Sequence, residues 1–355
     1  AAAPRPESKP AAIDGIDSRT PVPRRCGIDS TGRFTHNSAS IRRSGGYQMR
    51  IAIIGTGAMG SVYAGLLADA GLDVWAIDSW ADHIAAIKRD GLRVSGASGE
   101  RVARLEATVD ARDAGPADLV IIATKASGVE PAAHAARGIL APDGVVLTIQ
   151  NGLGSAERVA RIVGKERTMI GVVGGFGASM KAPGHVHHNG WEFVRLGEYD
   201  GGMSARLERV AEIWKQGGFR VLLFEDIHQL VWEKFICNVA FSGTCTLTGL
   251  TIGEVIADAD AWTVASGCAS EAYAVAKAKG VNVDIDDPVA YVRAFGEKIP
   301  GARPSMLLDH MAQRRSEIDV INGAVPRVGA EVGVATPVNA MVTALVRARE
   351  NAFAR

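Results

Sequence analysis

At 355 residues, with 39 basic side chains balanced by 39 acidic ones and a hydrophobic share of 47%, the chain has the composition of a globular protein long enough for two domains. A formal net charge of +0 supplies no field of one sign, which excludes electrostatically driven binding to nucleic acid or a membrane surface. The four cysteines, Cys26, Cys237, Cys245 and Cys268, lack CxxC pairs and no apolar run reaches the roughly 18 residues of a membrane span, so reduced thiols, no metal and a cytoplasmic address are expected.

Residues 1–48 are rich in Ala, Pro, Arg, Ser and Gly without apolar periodicity, the composition of a disordered extension. Their eight arginines and lysines suggest an organelle presequence, but Glu7, Asp14, Asp17 and Asp29 argue against one. A stretch lying upstream of a natural start at Met49 is the preferred reading. From Arg50 the pattern changes: Ile51 to Ile54 is a continuous apolar run ending in glycine, as a strand buried on both faces reads. A helix over Ala58–Ala70, a strand over Asp73–Asp78, a helix over Ala81–Asp90 and, after a polar stretch, a strand over Asp118–Ala123 follow. The alternation continues with a helix near Pro131–Leu140, a strand over Val145–Ile149 and a helix near Ala156–Val163, which implies an α/β, doubly wound parallel sheet. Met169–Val173, Gly184–His188 and Phe193–Leu196 are expected to close that sheet with antiparallel pieces, before a helix over Ala205–Gln216 and a strand over Arg220–Phe224. Beyond Glu225 the spacing is helical, with breaks at Gly249, Gly280, Asp287-Pro288, Pro300 to Pro304 and Thr336-Pro337. The expected organisation is a Rossmann-type domain over 49–225 and an all-helical domain over 226–355, able to pair as a homodimer.

Gly55-Thr56-Gly57-Ala58-Met59-Gly60 is a GxGxxG that directly follows a buried strand and opens a helix, the context in which this pattern signals dinucleotide binding. Gly55 permits the tight turn, Gly57 lets backbone amides approach a pyrophosphate, and Gly60 lets helix and strand pack closely. The helix N-terminus offers unpaired N–H groups to the anion. A glycine-rich turn without a ligand is the bland alternative. Asp78 ends the second strand, where an acidic side chain accepts hydrogen bonds from the adenosine ribose. Ser79 and Trp80 follow it, with no arginine to offset a 2′-phosphate, so Asp78 argues for NAD(H); capping of the next helix is the competing reading. Lys125 and Asn151 stand at carboxyl ends of buried strands, where open parallel sheets bind ligands. For Lys125 a solvated loop position competes.

Lys234 and Asn238 are four residues apart in an apolar stretch and share one face of a helix. A lysine in apolar surroundings loses solvation, which lowers its pKa and suits it to donating a proton at neutral pH. By residue type alone a snorkelling lysine is the commoner explanation. The glycine turn, Thr148-Ile149-Gln150-Asn151-Gly152, the Lys234–Asn238 helix, and Ser305-Met306-Leu307-Leu308-Asp309 followed by Glu317-Ile318-Asp319-Val320-Ile321-Asn322-Gly323 occur in one order and spacing. Together they resemble the ketopantoate reductase (2-dehydropantoate 2-reductase) family, from Met49 to about Ala352. The resemblance implies NADP(H) as cofactor and a small 2-oxo acid as substrate, reduced to a 2-hydroxy acid, as 2-dehydropantoate is to pantoate in pantothenate biosynthesis. It also implies Lys234 as general acid, Asn238 as the residue orienting substrate, and Ser305 as the one holding its carboxylate or hydroxyl groups. Asn151 would lie between cofactor and substrate, and Glu317 would contact cofactor or position the lysine.

Departures from the family pattern fall at three places, one of them Asp78-Ser79, where members usually carry a basic residue that suits NADPH. Ser242, one helical turn past Asn238 and a candidate substrate contact, and Ile252 stand where members commonly carry asparagine. Their loss removes hydrogen-bond donors that a polyhydroxylated substrate needs, so a different 2-oxo acid, or NADH as coenzyme, is the alternative expectation. Another two-domain hydroxy-acid or opine-type dehydrogenase and a non-catalytic NAD(P)H-binding sensor are the rival functions. His185, His187 and His188 read as structural or surface residues rather than a metal cluster, and Cys237 as a buried thiol rather than a nucleophile.

Overall fold

A computed structural model describes residues 49–353 apart from Phe176, Trp191 and Glu192; the expected extension over 1–48, with Cys26, lies outside the described residues. Strand β1 (Arg50–Ile54) forms from a run of side chains buried on both faces. It leads through the glycine turn into α1 (Ala58–Asp69), β2 (Asp73–Ile77) and α2 (Ala81–Asp90). Three short strands follow, β3 (Leu92–Gly96), β4 (Arg101–Ala103) and β5 (Glu106–Thr108), and then β6 (Ala117–Ile122), α3 (Val129–Ile139), β7 (Leu140–Thr148) and α4 (Ser155–Val163). Next come β8 (Thr168–Val173), β9 (Gly177–Ala182), β10 (His185–Gly190), β11 (Phe193–Glu198), α5 (Ala205–Gln216) and β12 (Arg220–Leu223).

The main sheet has eight strands in the order β12-β11-β8-β7-β6-β1-β2-β5. Its run from β5 to β8 is parallel throughout, the doubly wound order that reverses direction between β1 and β6 and opens a crevice there at the strands' carboxyl ends. Two expectations are corrected. Residues 169–173 belong to β8, which pairs parallel with β7, as in Leu147 opposite Met169; the antiparallel pairing begins only at β11. Residues 184–188 do not close the main sheet at all. They lie in β10, part of a second sheet ordered β4-β3-β10-β9, because Val186 is drawn into the core with Val62, Leu66 and Val94. That second sheet covers the outer face of α1, which explains why this helix is buried from Gly60 to Leu67 instead of presenting a polar stripe.

From Ile227 onward every described element is helical: α6 (Ile227–Thr248), α7 (Ile252–Ala257), α8 (Ala259–Ala278), α9 (Pro288–Glu297), α10 (Ser305–Met311), α11 (Ala324–Val332) and α12 (Pro337–Glu350), with one 3₁₀ turn at Ile318–Val320. Helix α6 is the axis of this region. Asp226 caps its start, accepting from the amides of His228 and Gln229 at 3.0 and 3.2 Å, and Gly249 ends it in the left-handed conformation at φ +78°. Ala126 and Leu153, from the loops after β6 and β7, are buried in the same core as Trp232, Ile318 and Val320, so the helical region is fastened to the sheet at its carboxyl edge. Among the described residues no helix is long and apolar enough to cross a membrane.

Candidate active site

The glycine turn occupies the crevice beside β1. Gly55 has φ +93°, and a Cβ there would come within 2.6 Å of Thr124. At Gly60 a Cβ would stand 2.1 Å from the Gly55 carbonyl oxygen, so α1 can reach the strand only without one. At Gly57, by contrast, a Cβ would meet nothing within 4 Å: the backbone is open on that side. The first intrahelical bond of α1 runs from the Ser61 amide to the Gly57 carbonyl at 2.9 Å, and no side chain caps the amides before it. The hydroxyls of Thr56 and Thr124 are buried without a partner. An uncapped helix start, an open backbone and orphaned donors fit the pyrophosphate of a dinucleotide. Ala58 and Met59 are half-buried along the same turn.

Asp78 adjoins this turn, since the Gly55 amide donates to the Ile77 carbonyl at 2.8 Å. One carboxylate oxygen of Asp78 accepts from the Trp80 amide at 2.9 Å, and Trp80 stacks on His83 at 5.1 Å between ring centroids. His83 supports the turn from below: it lies 3.2 Å from Ser61 Oγ, which itself donates to the Thr56 carbonyl at 2.6 Å. The Gly184 amide donates to His83 Nδ1 at 2.9 Å. Burial holds the His83 pKa below its usual value, against the opposing pull of Asp78.

At the carboxyl ends of β7 and β8, Lys234 of α6 donates to Asn151 Oδ1 at 2.9 Å and to the Val173 carbonyl. Asn238, one turn further, lines the same pocket, together with Asn151, Val172 and Phe235. Two residues of the sheet half are thus joined to one helix face. The loop holding Asn151 is fixed by Gly152, where φ is +80° and a Cβ would lie 2.2 Å from the Val320 carbonyl oxygen. Glu317 accepts from the Ala126 amide at 2.9 Å and lies 3.9 Å from Lys125 Nζ. Glu317 is thus set beside Lys125, itself a candidate cofactor contact.

Ser242 is buried two turns beyond Lys234, and Ser305 is exposed as the first residue of α10. Neither lines the Lys234 pocket. Asp309, the last residue of the Ser305–Asp309 motif, joins the candidate site unexpectedly: it accepts from Lys125 Nζ at 3.0 Å and from Arg314 Nη2 at 3.0 Å. The Val173 carbonyl was missed too, and no side-chain pattern could signal it. The histidines of β10 are divided: Ser95 Oγ lies 3.0 Å from His185 Nε2 and 3.1 Å from His187 Nδ1, while His188 is buried. No metal-binding group of three or more ligands occurs among the described residues. Burial pushes the Cys237 thiol up to about 12, far from a nucleophile's range.

A doubly wound sheet with an uncapped glycine turn at the end of β1, and a lysine held by an asparagine and a carbonyl at the ends of β7 and β8, fits a nicotinamide-dependent oxidoreductase acting on a CH–OH centre or its carbonyl. Two family models match, ketopantoate reductase PanE/ApbA over residues 51–201 and ketopantoate reductase PanE/ApbA C terminal over 226–350. A 2-dehydropantoate 2-reductase of Streptococcus pyogenes serotype M3 is 31% identical over 303 residues, which are 85% of this chain and 98% of that one. Among solved structures, the PanE/ApbA family ketopantoate reductase of Ralstonia eutropha JMP134 matches with a TM-score of 0.79 at 31% identity, over 86% of this chain and 100% of its own. A ternary structure of D-mandelate dehydrogenase with NADH and anilino(oxo)acetate matches with a TM-score of 0.79 at 30% identity, over the same 86% and 100%. The chain belongs to the ketopantoate reductase family.

Proposed function

We propose that this protein reduces the keto carbon of a 2-oxo acid to a 2-hydroxy acid, with 2-dehydropantoate as the first substrate to test. The observation that carries the reading is the Lys234 ammonium, held by Asn151 and the Val173 carbonyl in a pocket it shares with Asn238. Bound along the glycine turn, the nicotinamide cofactor supplies the hydride. Lys234 stands as general acid: its ammonium meets the keto oxygen, stabilises the growing alkoxide charge and delivers a proton to it. Asn151 aims the ammonium, and Asn238 orients substrate from the next turn of the same helix face. Lys125, exposed at the carboxyl end of β6 and steered by Asp309 and Glu317, is assigned to the cofactor. Glu317 orders the loop that carries Lys125. Ser305 and Ser242 are assigned to substrate on the family resemblance alone, since neither lines the Lys234 pocket.

Asp78 favours NADH, because a carboxylate beside the ribose repels a 2′-phosphate. The division into a nucleotide domain ending near Glu225 and a helical domain after it, with homodimer formation through the latter, belongs to the same reading. A second reading is favoured by Ser242 and Ile252. Ile252 is buried in the helical core, so two amides that a hydroxylated acid needs are absent, as suits a less polar 2-oxo acid of the kind D-mandelate dehydrogenase handles. Oxidation of NADH and of NADPH, measured side by side with 2-dehydropantoate and with phenylglyoxylate, tests both. Turnover of neither acid, nor of a wider 2-oxo acid panel with and without an amine partner, would leave only a dinucleotide-binding sensor.

A further inference from the structure

Two guanidinium groups from different halves of the fold converge beside Gly154. A side chain built on that glycine would stand 3.3 Å from Arg327 Nη2 and 3.5 Å from Arg158 Nη1. Arg158 lies on α4, in the sheet half, and Arg327 on α11, in the helical half; neither lines the pocket at Lys234. Arg158 is half-buried, and its hydrogen bonds are long ones, 3.4 Å to the Ala126 carbonyl and 3.4 Å to Ser155 Oγ. Glu157 and Glu130 favour its charge from a distance, without a hydrogen bond, while Arg161 opposes it. Arg327 reaches Glu331 only at 4.0 Å, and Lys279 draws on the same exposed carboxylate at 4.0 Å. Burial, and after it the charge of Arg327, work against the Arg158 cation. Two like charges brought together, with only an exposed carboxylate at 4.0 Å and acidic neighbours without a hydrogen bond to offset them, repel each other, and an anion entering between them relieves that repulsion.

We propose that Arg158 and Arg327 form a phosphate-binding site at the junction of the two halves. A dianion matches the paired cations where a carboxylate would leave one in excess, and a guanidinium fork fits two phosphate oxygens at once. The occupant ties α4 to α11. It also bears on the active site, because Arg158 contacts the carbonyl of Ala126, whose amide donates to Glu317. The ligand is free phosphate or the phosphate ester of a small metabolite.

Calorimetric titration of inorganic phosphate into the full chain at constant ionic strength tests this, performed with and without NADH so that the outcome stands apart from the redox reading. The expected result is one saturable site that persists under saturating NADH and weakens by about tenfold or more in Arg158→Gln and in Arg327→Gln. Arg327 is 49% exposed, so its replacement tests the site where Arg158→Gln fails to fold. Glucose 6-phosphate in a parallel arm separates the sources: tighter binding than inorganic phosphate identifies an ester, equal or weaker binding the free ion. Phosphate affinity unchanged in the Arg327 variant overturns the proposal. So does a binding signal that NADH abolishes, since that signal belongs to the glycine turn.

Discussion

The two halves of the crevice are built in different ways. The glycine turn is specified within six consecutive residues, and its constraints are backbone ones: a positive φ at Gly55, an open face at Gly57, a 2.1 Å approach at Gly60. The lysine side is assembled. Lys234 meets Asn151 across 83 residues of sequence and Val173 across 61, and Lys125 meets Asp309 across 184. A local site depends on its own few residues, whereas an assembled one depends on how the helical region docks on the sheet. Substitutions on the two sides are therefore expected to fail differently.

The largest effect is expected on the assembled side. Lys234→Ala removes the proton donor and the charge opposite the developing alkoxide, and should lower kcat by roughly a hundred- to ten-thousandfold. NADH affinity, measured by fluorescence titration, should stay within about twofold, because the glycine turn is specified by its own backbone. Equal losses of turnover and coenzyme affinity would mean that the two sides are not separable. Gly60→Ala is the reverse case. Its Cβ meets a backbone oxygen rather than a movable side chain, so the β1–α1 packing must open at a cost of about 1–3 kcal/mol. Coenzyme affinity should fall steeply while a denaturant melt reports the lost stability; unchanged NADH binding would detach the turn from the cofactor.

The same contrast decides what could be read from the amino-acid sequence. The parallel core of the main sheet was legible because Ile51–Ile54 of β1 and Leu119–Ile122 of β6 are unbroken apolar runs, and the glycine turn because its spacing is itself the constraint. Lys234 and Asn238 were legible as a pair only through helical periodicity, and as a site only beside the other motifs. Strands β3, β4 and β5 were lost in a polar stretch, since three to five residues around Arg93, Arg101 and Glu106 carry too little alternation to register. The second sheet was hidden for the same reason: β10 joins β3 across an intervening segment of the main sheet, which no local pattern reports. Asp309 was visible in its motif, but its hold on Lys125 exists only once α10 is docked.

A smaller effect sharpens the local side. Asp78→Ser keeps an acceptor for the Trp80 amide but removes the charge, so the β2–α2 turn should survive. Relief of a repulsion worth about 1 kcal/mol under water-like screening should improve NADPH relative to NADH by about fivefold in kcat/KM. An unchanged coenzyme ratio in that variant would assign Asp78 to the turn alone.

The smallest effect concerns the support beneath the glycine turn. With the Gly184 amide donating to Nδ1, His83 is held neutral, its Nε2–H directed at Ser61 Oγ, and burial keeps its pKa below the usual 6.5. The unfolded chain therefore takes up the proton first as pH falls, so the stabilisation is fully present above about 6.5 and is lost as pH drops through the lower folded value. Burial shifts His185 and His188 the same way, so His83→Gln should flatten, without abolishing, the decline in unfolding free energy between about pH 7.5 and about pH 5.5. Because His83 reaches the turn only through Ser61 and Thr56, wild-type NADH affinity should weaken over the same range, and the variant should lose that pH dependence. A variant whose melts and NADH affinity follow the wild-type pH profile would mean that the proton is taken up elsewhere and that the turn stands without its histidine prop.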